Sequence, residues 1–119
     1  MNNHEEELKK LLQPREVPEL VAAFFAKDGA WDEPFDHPEV VWRTILEILK
    51  LALTQEQEAL LAAGPLEDVL ASHGPTIIDR VEEEARTNPR FNHLLGGVWR
   101  REMPQEIWSR VEKARKEVW

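Results

Sequence analysis

The sequence predicts an all-α protein, and two observations lead to this fold class. Apolar residues recur at intervals of three and four along most of the 119 residues, as they do in amphipathic helices. No stretch alternates β-branched or aromatic residues with polar ones, and tyrosine does not occur. We therefore expect a single compact domain of about seven or eight short helices, packed either like stacked helical repeats or as an irregular bundle.

The beginning of the chain is predicted to be an arm. Residues 1–17 form this N-terminal arm, with one short helix over residues 5–12, and residues 18–119 form the helical domain. The first helix of the domain is expected to begin at Pro18, because proline is favoured at the first position of a helix.

The helix that begins at Pro38 is predicted to be the core helix, because its apolar residues cover most of its circumference. Either Asp36 or His37 is placed to cap its free amides. Further along, Thr54 and Gln57 match the capping-box pattern, which predicts that another helix begins there.

Prolines and glycines predict the remaining helix boundaries. Gly96-Gly97 is expected to be a turn or a kink, because two adjacent glycines are unfavourable inside a helix. The predicted starts of the four remaining helices are Pro65, Pro75, Pro89 and Pro104.

The composition excludes several classes of function. The absence of cysteine excludes a disulfide scaffold, a cysteine zinc site and a thiol nucleophile. The formal net charge of −8 disfavours nucleic-acid binding. The polar, acidic start and the absence of a long apolar stretch predict a cytoplasmic protein that does not contact a membrane.

Motifs for catalysis and cofactor binding are absent from the sequence. It contains no phosphate-binding glycine loop, no serine nucleophile elbow and no paired-histidine zinc motif. The four histidines are scattered along the chain. We therefore predict no catalytic residues, no metal site and no cofactor, and the sequence favours a protein that is not an enzyme.

Several segments resemble a small bacterial family of unknown function with the pattern AGPLEDLL…HG…FxxLLGGVW. The segments that carry the resemblance are residues 62–70, 73–74, 78–80, 89–91 and 94–99. The resemblance extends over about residues 38–112, and Val69 stands where leucine is commoner. It implies a helical fold without an established activity, and it directs attention to residues 64–99.

Residues 64–99 contain the densest group of ionisable side chains. We expect most of them to be structural, because acidic residues in a first helical turn favour the helix dipole. The alternative is a small enzyme or ligand-binding site between the helices, in which an acid or base is tuned by its neighbours. Its candidate residues are Glu67, Asp68, His73, Asp79, Arg80 and Trp99.

The loop before Pro38 combines carboxylates with aromatic side chains. It is either a solvated connection whose aromatic rings cover the core or an acidic surface that binds a basic partner. The candidate partner-binding residues are Asp28, Trp31, Asp32, Glu33, Phe35 and Asp36.

These features favour a non-catalytic, acidic interaction module with a basic protein partner. An inhibitor of the immunity or antitoxin type is one concrete form. The residues leave the identity of the partner and the oligomeric state open. Trp119, the last residue of the sequence, is expected either to fray or to dock on a partner.

Overall fold

The computed structural model describes residues 16–26 and 37–119. Within these ranges the chain forms six α-helices, one π-helical segment and no strand, which confirms the all-α prediction. The helices are α1 (Val17–Phe25), α2 (Pro38–Leu49), α3 (Gln55–Leu61), α4 (Glu67–Thr87), α5 (Pro89–Leu95) and α6 (Gln105–Ala114). The π segment (Ala62–Leu66) joins α3 directly to α4.

Helical structure extends from Gln55 to Thr87 with one kink, at His73, so the described part of the chain contains five helical runs. The prediction of seven or eight helices exceeds this number for three reasons. The helix over residues 5–12 lies outside the described residues, Pro65 does not begin a new helix, and the helices predicted on either side of His73-Gly74 are joined across a kink. Pro65 lies inside the π segment, and Pro75 follows a kink at His73, whose φ and ψ are −136° and 29°. A wider turn and a kink each provide room for a proline ring that would otherwise clash with the preceding turn.

Helix α2 is the core helix, as its apolar pattern predicts. Six of its residues are buried: Val41, Trp42, Thr44, Ile45, Ile48 and Leu49. The ring of Trp42 meets that of Phe91 edge to face, with centroids 5.3 Å apart. Such aromatic pairs stabilise a core beyond the burial of their area.

The caps explain where several helices begin. Thr54 and Gln57 form the predicted capping box of α3. The Asn88 side chain accepts hydrogen bonds from two amides at the start of α5. His37 occupies the N-cap position of α2 without a side-chain hydrogen bond, and the alternative cap, Asp36, lies outside the described residues.

Helix α4 is central, because it packs against α2, α5 and α6, while α1 lies against α2. The kink in α4 allows α6 to approach closely. A Cβ atom on Gly74 would lie 2.8 Å from Cγ1 of Ile107, so a larger residue there would collide with α6. Glycine at this position therefore sets the spacing of the two helices.

Residues 115–119, which we call the strap, follow α6 and return to α5. The Trp119 amide donates a hydrogen bond to the Gly96 carbonyl, at 3.1 Å. The expectation that Trp119 frays is therefore wrong. The ring finds its place on its own chain, because the Gly96-Gly97 turn has no side chains to exclude it.

Two predicted features lie outside the described residues: the helix over residues 5–12 and the acidic loop before α2. Within the described residues, no helix is long and apolar enough to span a membrane.

Candidate functional site

The start of α4 and the loop after α5 meet at a buried carboxylate. The side chain of Glu67 is only 1% exposed. Its Oε1 accepts a hydrogen bond of 2.5 Å from the Trp99 amide. The π segment ends at Leu66, so it immediately precedes the residue that fixes this loop. π-Helical turns are frequent at functional sites, and this junction is therefore a candidate functional site.

Arg101 completes the arrangement around Glu67. Its Nε lies 3.1 Å from Oε2 of Glu67, an ion-pair distance, although that oxygen has no hydrogen bond of acceptable geometry. The φ angle of Arg101 is 43°, in the left-handed region that residues other than glycine seldom adopt. This turn carries the guanidinium to the otherwise buried carboxylate.

Burial dominates the electrostatics of this site. It raises the pKa of Glu67, while the Trp99 amide and the Arg101 charge act in the opposite direction. Burial also raises the pKa of Asp68, again against the charge of Arg101. Two adjacent carboxyl groups therefore bind protons more readily than exposed acids do. Such an arrangement can clamp a loop, or it can hold a proton for chemistry.

Asp79 and Arg80 pair with other helices instead. The Asp79 carboxylate lies 2.6 Å from the Arg110 guanidinium, which also binds Glu82. Arg80 donates two hydrogen bonds to Glu39, at 2.6 and 2.5 Å. These pairs connect α4 to α6 and to α2.

The two arginines also change the acidity of their partners. Arg110 lowers the pKa of Glu82, and Arg80 lowers the pKa of Glu39, in both cases chiefly through side-chain hydrogen bonds. Each carboxylate therefore stays ionised at lower pH than usual, so these ion pairs between helices persist to lower pH than ordinary carboxyl groups would allow.

The structure brings together only part of the predicted group. Glu67, Asp68 and the Trp99 backbone lie at one site. His73 lies at the kink of α4 and is partly buried. Sequence reasoning missed Arg101. The adjacent Arg100-Arg101 pair, two positions after Gly97-Val98, was the available signal.

The indole of Trp99 is the largest exposed feature of this site. The backbone amide of Trp99 is bound by Glu67, yet the residue is 61% exposed. A neighbouring contact also fixes the loop, because Arg115 donates a hydrogen bond of 3.0 Å to the Val98 carbonyl. The ring is therefore displayed from a loop whose backbone is held on both sides.

A groove of about 970 Å³ lies elsewhere, between α1, α2 and the junction of α4 with α5. Its apolar side is formed by residues such as Val21, Leu46 and Leu49, and Arg43 and Arg90 lie among the polar lining residues. None of the six candidate residues of the alternative site lines it. This groove and the buried carboxylate are thus separate features of the described chain.

No group of three or more acidic or histidine side chains within residues 16–26 and 37–119 has the arrangement of a metal site. All six predicted partner-binding residues lie outside the described residues: Asp28, Trp31, Asp32, Glu33, Phe35 and Asp36.

Comparison with known proteins identifies one family. No curated protein matches the chain, and no solved structure matches it. A model described as a family of unknown function, DUF6869, matches residues 18–118. This match covers the helical domain, including both segments that meet at Glu67. The chain therefore belongs to the DUF6869 family of unknown function.

Proposed function

We propose that this chain is a non-catalytic, acidic helical module for protein–protein interaction. The observation that carries the proposal is the Trp99 ring, which is 61% exposed on a backbone fixed by Glu67. An inhibitor of a basic partner, of the immunity or antitoxin type, is the concrete form that we propose.

The loop that displays Trp99 has properties that favour binding. Tryptophan is enriched at the residues that dominate the energy of protein interfaces. A ring on a fixed backbone loses less conformational entropy on binding than one on a mobile loop. Burial of this ring by a partner would therefore contribute directly to affinity.

The charge of the chain favours a basic partner. The described residues carry sixteen acidic and eleven basic side chains, so 16 − 11 leaves five negative charges in excess. Over the whole chain the formal net charge is −8. An excess of this sign accelerates encounters with a basic surface, and added salt weakens this attraction.

One observation favours the alternative, a small enzyme or ligand-binding protein. Glu67 and Asp68 are adjacent carboxyl groups whose pKa values are both raised by burial. Such perturbed acids are common at catalytic sites. However, Asp79 and Arg80 pair with residues on other helices, and the groove is lined by a different set of residues. We therefore place this function second.

Affinity capture from the source cells tests the first proposal. The unmodified chain and the variants Trp99→Ala and Leu60→Ala are compared at low and high salt. Leu60 is the matched control, because it is 59% exposed and lies on α3. We expect a basic partner that is lost at high salt and lost with Trp99→Ala, but retained with Leu60→Ala.

Three results would contradict the proposal: no captured partner, a partner that is insensitive to salt, or one that is insensitive to Trp99. A ligand that stabilises the unmodified chain but not Glu67→Gln against heat would favour the alternative function instead.

A further inference from the structure

The strap is held by main-chain hydrogen bonds at both ends. The amide of Lys116 donates to Oδ1 of Asn92, at 2.9 Å. The amide of Trp119 donates to the Gly96 carbonyl, at 3.1 Å. Its indole Nε1 also donates to the His93 carbonyl, at 2.6 Å. The strap is thus bound much as an extended peptide is bound, through its backbone and one anchoring side chain.

The surface beneath the strap is built to receive it. Asn92 is only 5% exposed, and its Nδ2 donates to the carbonyls of Ala85 and Ala114, each at 3.0 Å. These two bonds fix the amide so that its oxygen faces the strap. A Cβ atom on Gly97 would lie 2.7 Å from the Trp119 ring, so the glycine leaves the space that the ring fills.

The imidazole of His93 contacts two side chains of the strap. It stacks on the Trp119 ring, with centroids 5.2 Å apart and an interplanar angle of 17°. Its Nδ1 lies 2.6 Å from Oε1 of Glu117, and its Nε2 lies 3.3 Å from Oε2 of Glu58 on α3. The site therefore contacts a carboxylate and an indole on residues that are separated by one position in the strap.

Residues 116–119 of the strap lie on the outside of the molecule and can leave without opening the core and without breaking the hydrogen bond from Arg115 to the Val98 carbonyl. Val118 is 61% exposed and Trp119 is 38% exposed, whereas the neighbouring Phe91 and Leu95 on α5 are fully buried. The strap follows α6, and beyond Arg115, whose amide donates to the Val111 carbonyl at 3.1 Å, its residues are not helical. Exposed segments with few buried apolar contacts open at low free-energy cost.

We propose that the surface formed by Asn92, His93 and the Gly96-Gly97 turn is a peptide-binding site that the strap occupies. Its ligand in trans is an extended segment of a partner protein with a carboxylate two residues before a tryptophan. The strap is the intramolecular competitor of that segment. The inference is independent of the proposed function, because it uses neither Trp99 nor the net charge.

Competition with the strap determines how the site behaves. A tethered segment acts at an effective concentration on the order of millimolar. A free peptide of the same sequence therefore binds the unmodified chain poorly. It binds better once the ring of the tethered strap is removed, because the strap then loses its indole contacts with His93 and Gly97 and competes less well, while the walls of the site remain.

An NMR titration of the full chain tests this proposal. The probe is a synthetic peptide with the sequence of residues 115–119, Arg-Lys-Glu-Val-Trp. It is added to the unmodified chain and to the variant Trp119→Ala. We expect saturable shifts of the Gly96 and Gly97 amides in Trp119→Ala, with an affinity at least tenfold above that of the unmodified chain.

Two controls separate specific binding from loose association. A probe with alanine in place of its tryptophan should cause no saturable shift. The double variant Trp119→Ala with His93→Ala should lose the binding, and its amide spectrum shows whether it is still folded.

Equal binding by the unmodified chain and Trp119→Ala, or equal binding of the probe without tryptophan, would overturn the proposal. So would the absence of binding to a folded Trp119→Ala variant. None of these results affects the capture experiment with Trp99.

Discussion

The amide of Trp99 donates a hydrogen bond of 2.5 Å to Oε1 of Glu67, across 32 residues of sequence. One of the partners is a carboxylate that is almost completely buried, and the other belongs to the residue with the most exposed ring of the site. The bond satisfies a buried acceptor and fixes a displayed side chain at the same time. Stability and binding are therefore coupled at this contact.

We expect Glu67→Ala to be strongly destabilising, because it leaves the Trp99 amide without an acceptor and opens a cavity. A lost partner of a buried group costs about 1–3 kcal/mol. Glu67→Gln keeps an acceptor of nearly the same shape and should stay within about 1 kcal/mol of the unmodified chain at neutral pH. Urea denaturation measures both. Similar losses in the two variants would show that the hydrogen bond is not what Glu67 contributes.

The pH dependence of stability should reflect the raised pKa values of Glu67 and Asp68. The folded state holds these protons more tightly than the unfolded state does. The free energy of unfolding therefore decreases as the pH rises from the ordinary value of 4.5 for Glu67 through its raised value.

Comparison with Glu67→Gln isolates this effect, because glutamine does not ionise. Denaturation at about pH 4 and pH 7 should show the unmodified chain losing stability relative to the variant as the pH rises. The carboxyls of Glu39 and Glu82, whose pKa values are lowered, contribute in the opposite direction in both proteins. A difference between the two proteins that does not change with pH would contradict the assignment.

Gly74→Ala should destabilise the fold, because the added methyl group would meet Ile107 on α6. Overpacking of this kind costs about 1–3 kcal/mol. Gly64→Ala is the matched control, since a Cβ atom at that position meets nothing within 4 Å. Thermal unfolding should separate the two variants clearly. Equal effects would mean that the closeness of α4 and α6 does not depend on Gly74.

The ion pair between Arg80 and Glu39 should contribute little to stability. Their side chains are 41% and 55% exposed, and such pairs typically contribute about 0–1 kcal/mol. Arg80→Met should therefore shift the urea midpoint only slightly, and the difference should shrink at high salt. A large loss that persists in salt would indicate that Arg80 stabilises the fold through packing of its stem rather than through its charge.

Local signals predicted much of the fold. The capping box at Thr54, the helix start at Pro89 and the apolar stripe of α2 involve residues close in sequence, and each is present in the structure. The backbone conformation at Pro65 and Pro75, in contrast, could not be predicted from local signals. Whether a proline ends a helix or is accommodated by a wide turn or a kink depends on the packing around it, which residue spacing does not encode.

The candidate site was predictable only in part. Glu67, Asp68 and Trp99 stand out by residue type, but their meeting depends on how the loop after α5 returns to α4. The partners of Asp79 and Arg80 lie on other helices, 31 and 41 residues away along the chain. Arg101 reaches Glu67 through a left-handed backbone conformation that favours glycine, so the Arg100-Arg101 pair in the sequence did not by itself show which carboxylate it meets.

The π segment determines how α4 is rotated about its axis relative to α3. A π turn amounts to one residue inserted into an α-helix. Deletion of a single residue from Ala62–Leu66 would restore regular winding and turn α4 by about 100° relative to α3. Glu67 would then swing away from the interior, and the long helix would present another side to α2 and α6. The length of the π segment thus determines which side of α4 faces α2 and α6. An insertion or deletion in it would alter the packing of the helices more than a substitution would.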